Sequence, residues 1–175
     1  DGSAVTAQDV KFSFDAYQTK SNPGLQMYLA DLDKTEVLSK YVVKMSFKSD
    51  KNSEMPLILS QMPIYSKKDW QHKDFTRVTL QPILGSGPYL IDRIDAGRSI
   101  TYKLNPNYWG KDLAVNKGRY NFARLKYVYY RSLDIAFEGF KSGQYTLHEE
   151  MTARKWVTEY NFPAVKTGMV VKYKF

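Results

Sequence analysis

His148, Glu149 and Glu150 form a run of titratable side chains that could do chemistry in this sequence. A carboxylate of this pair could neutralise an amino group or another cation. The same acids would also suit a solvated position at a helix N-terminus, where the helix dipole favours negative charge. Adjacent residues rarely converge on one ion and no second histidine lies at ligand spacing, so we expect no metal site. Because no nucleophile and base accompany the acids, we predict no catalytic residue and no enzyme activity.

A glycine-rich turn at Gly85–Tyr89 is the second candidate for chemistry. Such loops cradle phosphates when Gly-Lys-Ser/Thr and a helix follow. Here the pattern that follows is that of a strand, so we predict a tight turn ahead of Pro88 with no phosphate contact. A further turn at Asn105–Trp109 ends the next strand with two adjacent aromatic residues, which we expect to pack.

The composition limits the classes of function that remain. The 175 residues are 43% hydrophobic and 15% aromatic, which is enough for a substantial core, and they contain no cysteine. The net charge of +8 lies in the middle third, because residues 61–131 contain thirteen Lys and Arg and five acids. Such an excess could attract a nucleic acid or an anionic surface. The basic residues are scattered singly without a nucleic-acid-binding motif, so a solvated face is favoured and we expect no nucleic-acid partner.

The first third of the chain predicts a capped helix followed by a hairpin. Thr6–Asp9 has the form of a capping box, the residues that follow supply a buried helical stripe, and Asn22–Gly24 ends the helix. Alternation over 41–47 predicts a half-buried strand. We expect it to pair with residues 35–38 through a tight turn at Ser39-Lys40.

Helical and strand patterns alternate in the second half, which indicates the mixed α/β class. Residues 124–131 are hydrophobic on both faces, so we expect a central strand covered on both sides. We expect residues 63–82 to be a polar, irregular connection that contains Trp70 and His72. The remaining predicted elements are helices at 53–62, from Asp134 to a stop at Gly143, and at 152–160, and strands at 89–94, 99–104, 145–147 and 169–175.

Four segments, in this order, resemble family 5 extracellular solute-binding proteins, the periplasmic peptide and nickel receptors of ABC importers. They are Asp1–Phe14, Gly85–Tyr89, Asn105–Trp109 and Phe137–Tyr145. The stretch Gly110–Phe122 resembles the oligopeptide-binding subgroup that also imports the peptide-nucleotide antibiotic microcin C. The chain departs from the family pattern after Gly143, where Gln144 replaces the usual Glu and Thr146 the usual Asp.

The resemblance implies a partial α/β fold, the mixed-sheet, type II periplasmic binding protein-like fold, with one lobe and part of its smaller sub-domain. Residues 1–75 would belong to that sub-domain and residues 76–175 to the main α/β sub-domain of the same lobe, truncated before a second lobe. The protein would capture oligopeptides, including modified peptides of the microcin C kind, between two lobes in the periplasm. It would deliver them to the permease subunits of an ABC transporter in the inner membrane, without a cofactor. The alternative is a basic module that binds nucleic acid or an anionic surface.

The resemblance also indicates where the ligand would bind. His148, Glu149 and Glu150 follow the Gly143 junction, where the family chain enters the cleft, and Trp156 could line the same cleft. Glu149 or Glu150 could neutralise a peptide amino terminus or a cationic side chain. Because this chain would form only part of the two-lobed cage, we expect it not to bind peptide tightly by itself.

Overall fold

The chain folds into two compact units that interleave along the sequence. The structure, a computed structural model, describes residues 2–173. The first unit takes the residues up to Leu90 together with Asn105–Asn121, and the second takes Ile91–Leu104 and the residues from Phe122 onward. These limits differ from a single boundary at residue 75, and the assignment of 1–75 and 76–175 to two sub-domains stays a prediction.

The helices are α1 (Ala7–Lys20), α2 (Pro23–Tyr28), α3 (Met55–Ser60), α4 (Lys67–Trp70), α5 (Leu133–Lys141), α6 (Ala153–Thr158) and α7 (Pro163–Lys166), with a 3-10 turn at Ala114–Asn116. The strands are β1 (Leu32–Ser39), β2 (Val42–Phe47), β3 (Tyr89–Asp95), β4 (Ser99–Leu104) and β5 (Arg124–Val128).

Helix α1 begins at the predicted capping residues. One oxygen of the Asp9 carboxylate accepts hydrogen bonds from the backbone N–H of Thr6 at 2.7 Å and from its hydroxyl at 2.8 Å. The other oxygen accepts from the N–H of Lys67, at the start of α4, at 2.8 Å. Partial burial raises the pKa of Asp9, but these hydrogen bonds outweigh it and hold the pKa below its ordinary value. Of the predicted stripe of Val10, Phe14 and Tyr17, the last two are buried and Val10 is half-buried against the same core.

The first unit has one hydrophobic core. It lies where α1, the hairpin of β1 and β2, and α3 meet, and it consists of Phe14, Tyr17, Leu29, Leu32, Met55 and Leu59. The hairpin is antiparallel, with Thr35 opposite Met45, and its turn lies at Lys40-Tyr41, one residue beyond the prediction. The predicted short helix is confirmed as α3, with a proline in its first turn.

The prediction that residues 63–82 form only a polar connection is wrong. Trp70, on α4, is buried, and its ring contacts those of Tyr65 and Phe75 at centroid distances of 5.2 and 4.6 Å. The buried hydroxyl of Ser13 accepts from the backbone N–H of Tyr65 at 2.8 Å, which attaches this segment to α1. Three aromatic residues five positions apart form a tertiary cluster, and such spacing matches neither a helical nor a strand period.

Strands β3, β4 and β5 form a three-stranded sheet in that order. Strands β4 and β5 are antiparallel, with Ile100 opposite Tyr127 and Lys103 opposite Arg124. The prediction of a central strand at 124–131 is wrong, because β5 lies at the edge of this sheet and Tyr127 is 57% exposed. Although this segment has hydrophobic residues on both faces, the strand is not buried on both sides within residues 2–173.

Helix α5 begins at a serine that caps it and ends at a glycine. Its N-cap is Ser132 and not Asp134; the Asp134 carboxylate lies in the first turn and pairs with the ammonium group of Lys155. Its end is the predicted glycine stop, where Gly143 adopts a φ of 74°. The next backbone N–H donates to the carbonyl of Gly139 at 2.9 Å, which completes a Schellman motif.

The second unit packs its helices around a small aromatic core made by Phe137, Phe140 and Tyr160. Helix α6 confirms the helix predicted at 152–160. The strand predicted at 145–147 is absent from the structure, because Tyr145 turns back and donates its hydroxyl proton to the α5 carbonyl of Ala136 at 2.7 Å. The strand predicted at 169–175 is not formed over 169–173, and residues 174 and 175 lie outside the described residues. Among residues 2–173, no helix is long and apolar enough to cross a bilayer.

Candidate functional site

The turn at Gly85–Tyr89 lies against the turn at Asn105–Trp109. The N–H of Asn105 donates to the carbonyl of Pro88 at 2.8 Å, and the indole N–H of Trp109 donates to the carbonyl of Ser86 at 3.0 Å. The first turn therefore leads into β3 and is held by the second. The contact between the two turns gives both motifs a structural role, and this role requires no bound phosphate.

The expectation that both aromatic residues of the second turn pack is correct for Tyr108, and for Trp109 it holds only for one edge contact. The Tyr108 ring contacts that of Tyr120 and lies over Gly110, where a Cβ atom would come within 2.8 Å of the ring. Tyr120 adopts a φ of 56°, in the left-handed region that a tyrosine seldom occupies. The Trp109 ring contacts that of Tyr108 edge-on at 5.7 Å and its N–H is fixed, but the residue is 72% exposed.

His148 is packed inside the second unit. Its ring stacks on Phe140 at 5.2 Å and 23°, and its Nδ1 lies 2.7 Å from the Tyr145 hydroxyl. The single hydroxyl proton of Tyr145 is donated to the carbonyl of Ala136, which can only accept. The hydrogen-bond network therefore assigns a proton to Nδ1 of His148 and directs its Nε2 towards Glu150.

Glu150 is the best-connected acid of the candidate site. Its side chain is 6% exposed, one oxygen accepts from the N–H of Thr152 at 2.7 Å, and the other lies 3.8 Å from Nε2 of His148. The hydroxyl of Tyr160 donates to the same second oxygen at 3.4 Å. Burial raises the pKa of Glu150, but the Thr152 hydrogen bonds and the histidine outweigh it and hold the pKa below its usual value. The carboxylate is therefore ionised at neutral pH and has its partners inside the protein.

Two tyrosines complete this network. Burial, with the Glu150 carboxylate contributing, raises the pKa of Tyr145 and of Tyr160, so both stay neutral hydroxyl donors. We call the set Tyr145, His148, Glu150 and Tyr160 the His–Glu cluster. It fixes the chain that leaves α5 against the helix that follows.

The other two predicted site residues differ from each other. Glu149 is exposed, whereas Trp156 is half-buried and packs on Tyr160 at 5.4 Å. The ammonium group of Lys172 lies 4.5 Å from the centre of the Trp156 ring. The structure thus brings His148, Glu150 and Trp156 together around Tyr160, and leaves Glu149 facing solvent.

The two tyrosines of the cluster were not among the predicted site residues. Tyr145 lies two residues after the helix-ending Gly143 and was expected in a strand, and Tyr160 was expected at the end of a helix. Those patterns gave no indication that either side chain joins a polar network. Across residues 2–173, no group of three or more His, Cys, Asp or Glu side chains is placed to hold a metal ion.

A family of solute-binding proteins matches nearly the whole chain. Residues 1–174 match the family described as bacterial extracellular solute-binding proteins, family 5 Middle. The chain belongs to this family.

Named relatives support the same class. The chain is 39% identical to the probable peptide-binding protein YejA of Agrobacterium fabrum, covering 98% of this chain and 29% of that protein. It is 35% identical to the peptidoglycan-binding protein YepA of the same organism, covering 100% and 30%. The chain therefore spans less than a third of the length of these relatives.

A solved structure has the same fold. The mannohexaose-bound periplasmic oligopeptide-binding protein from Thermotoga maritima superposes with a TM-score of 0.68 at 21% identity, over 90% of this chain and 30% of that one. The fold is thus a partial mixed α/β fold of the periplasmic binding protein kind, as the resemblance implied.

Proposed function

We propose that this chain is part of a periplasmic receptor that captures oligopeptides and passes them to the permease of an ABC importer, without catalysing a reaction. The observation that carries the proposal is the family match over residues 1–174, together with a relative named as peptide-binding. Peptide would lie in a cleft between this part of the protein and a second lobe. Such receptors hold ligand by closing two lobes around it.

The candidate residues have separate roles in this proposal. Glu149 is the exposed acid, so it is the group that can pair with a peptide amino terminus or a cationic side chain. Glu150 and His148 already have partners, so they position the segment that carries Glu149. The half-buried ring of Trp156 would supply an apolar wall beside it.

The ligand class extends to modified peptides. The resemblance of residues 110–122 to the subgroup that imports microcin C supports a peptide with a nucleotide-like attachment. A second candidate is a peptidoglycan fragment, which joins a peptide to a sugar, because the relative YepA is named as peptidoglycan-binding. Both candidates keep a peptide as the part that the cleft encloses.

Thermal unfolding of the full-length protein with different ligand pools tests this proposal. A ligand that binds only the folded state raises the melting temperature. We expect a rise with short peptides, a smaller rise for a Glu149→Ala variant, and none with oligosaccharides that lack a peptide. A rise with peptidoglycan fragments but not with plain peptides would favour the second candidate, and no rise with any pool that contains peptides would refute both.

A further inference from the structure

The loop between β4 and β5 exposes several large apolar side chains. This β4–β5 loop, residues 105–123, contains Trp109 at 72%, Val115 at 71% and Leu113 at 43% exposure. Single exposed apolar side chains are normal on protein surfaces. Here three lie within seven residues of one loop, and apolar side chains exposed close together mark surfaces that bind a partner.

The same loop is rich in unpaired cations. Lys111, Lys117 and Arg119 are exposed, and Asp112 is the acid among them. No ion pair joins these three cations to another side chain in the described part of the sequence. They lie in the stretch 61–131 that holds the whole excess of positive charge. The field around the loop therefore attracts negatively charged partners over several ångströms.

Internal contacts hold the loop in one conformation. The side-chain amide of Asn116 donates to the carbonyl of Gly110 at 2.7 Å, which joins its two sides across the 3-10 turn. The indole N–H of Trp109 is fixed to Ser86, so the exposed ring has a set direction. The left-handed backbone of Tyr120 is strained, and the other contacts of the loop must offset the free energy of that strain. These hydrogen bonds thus hold the loop in a conformation that leaves its apolar side chains exposed to solvent.

We propose that the β4–β5 loop binds an anionic phospholipid surface. Tryptophan prefers the boundary between lipid headgroups and acyl chains, and Leu113 and Val115 would enter beside it. Lys117 and Arg119 would contact lipid phosphates. Stable peripheral binding requires both an apolar and a basic contribution, and this loop supplies both.

The charge and the side-chain types of the loop favour a phospholipid surface over other anionic partners. The net charge of +8 complements a membrane that contains acidic lipids. Aliphatic side chains such as Val115 have no role in contacts to a phosphate backbone, which disfavours nucleic acid. The inference does not depend on the ligand in the cleft. For a receptor that serves a membrane importer, the loop would concentrate the protein at the membrane surface.

Sedimentation of the full-length protein with vesicles tests the proposal. We expect binding to phosphatidylcholine vesicles that contain phosphatidylglycerol, weak binding to phosphatidylcholine alone, and loss of binding at high salt. The double variant Lys117→Glu/Arg119→Glu should lower the binding constant by about tenfold or more, since each basic residue near such a surface contributes about fivefold. The matched control Lys51→Glu/Lys166→Glu, with the same change in net charge on exposed lysines, should have a smaller effect.

Fluorescence separates insertion of the loop from general attraction. Of the three tryptophans in this chain, Trp70 is buried and Trp156 half-buried, so the blue shift on adding anionic vesicles should decrease in Trp109→Phe by the contribution of the exposed Trp109 ring. Trp109→Ser should weaken vesicle binding, whereas Val78→Ser, at a 98% exposed position, should not. Unchanged melting temperatures would establish that each variant is folded.

Three results would overturn the proposal. One is no binding to anionic vesicles at low salt, and another is equal loss of binding in the loop variant and its charge control. The third is loop-dependent binding to nucleic acid or to an acidic protein without binding to vesicles. Peptide-induced stabilisation should persist in the loop variants, so failure here is distinct from failure of the peptide proposal.

Discussion

Replacing Glu150 by alanine tests whether this acid stabilises the folded protein. The change leaves the N–H of Thr152 and the hydroxyl of Tyr160 without their acceptor, and it removes a side chain that is only 6% exposed. Hydrogen bonds to a charged group contribute about 1.5 to 3 kcal/mol each, and the longer Tyr160 contact contributes less. We therefore expect Glu150→Ala to lower the free energy of unfolding by about 2 kcal/mol.

Urea unfolding of the chain, followed by tryptophan fluorescence, measures this change. The matched control Glu149→Ala, at the neighbouring exposed acid, should shift the free energy of unfolding by no more than about 0.5 kcal/mol. Glu150→Gln keeps an acceptor for Thr152 and should lose about 1 kcal/mol. Equal effects of the two alanine variants would refute the assignment of Glu150 as the structural acid and Glu149 as the free one.

The pH dependence supplies an independent check on the same residue. The pKa of Glu150 is lower in the folded protein than in the unfolded chain, so its contribution is fully present above the unfolded value. That contribution is lost as the pH falls through the folded pKa. Wild type should thus lose more stability than Glu150→Gln over this acidic range, and parallel curves for the two proteins would contradict the contact.

Three further substitutions test the fold by the free energy of unfolding in urea. Ser13→Ala should cost about 1 to 3 kcal/mol, because it leaves the partly buried N–H of Tyr65 without its acceptor. A neutral result would mean that this hydrogen bond does not help to attach residues 63–82 to α1. Phe14→Ala should cost about 3 to 5 kcal/mol by opening a cavity in the first core, against less than about 0.5 for Val78→Ala, and similar values for the two would place the core elsewhere. Gly143→Ala should cost about 1 to 2 kcal/mol, because alanine must adopt a φ of 74°, and a stabilised variant would argue against the Schellman end of α5.

Local signals in the sequence predicted much of the fold. The capping residues at Thr6 and Asp9, the hairpin of β1 and β2, and the stop at Gly143 each depend on residues within a few positions of one another. Such interactions can be recognised without knowledge of the tertiary structure. The mixed α/β class followed from their order.

Long-range contacts could not be predicted in the same way. Burial of Trp70 depends on rings five residues apart, and the edge position of β5 depends on which strands pair, so both predictions were wrong. In the candidate site, the sequence indicated His148 and Glu150. Tyr160, the partner of Glu150, is brought to it only by the fold of the second unit. The contact of Glu149 with a ligand stays a prediction.

Titration calorimetry of the full-length protein with a defined peptide tests the central claim most directly. The peptide should be the one that raises the melting temperature most, and it should be compared with its N-acetylated form. We predict saturable binding of one peptide per protein, weakened by acetylation or by Glu149→Ala. Absence of saturable heat with any peptide, while sugars or metal complexes bind, would contradict the account.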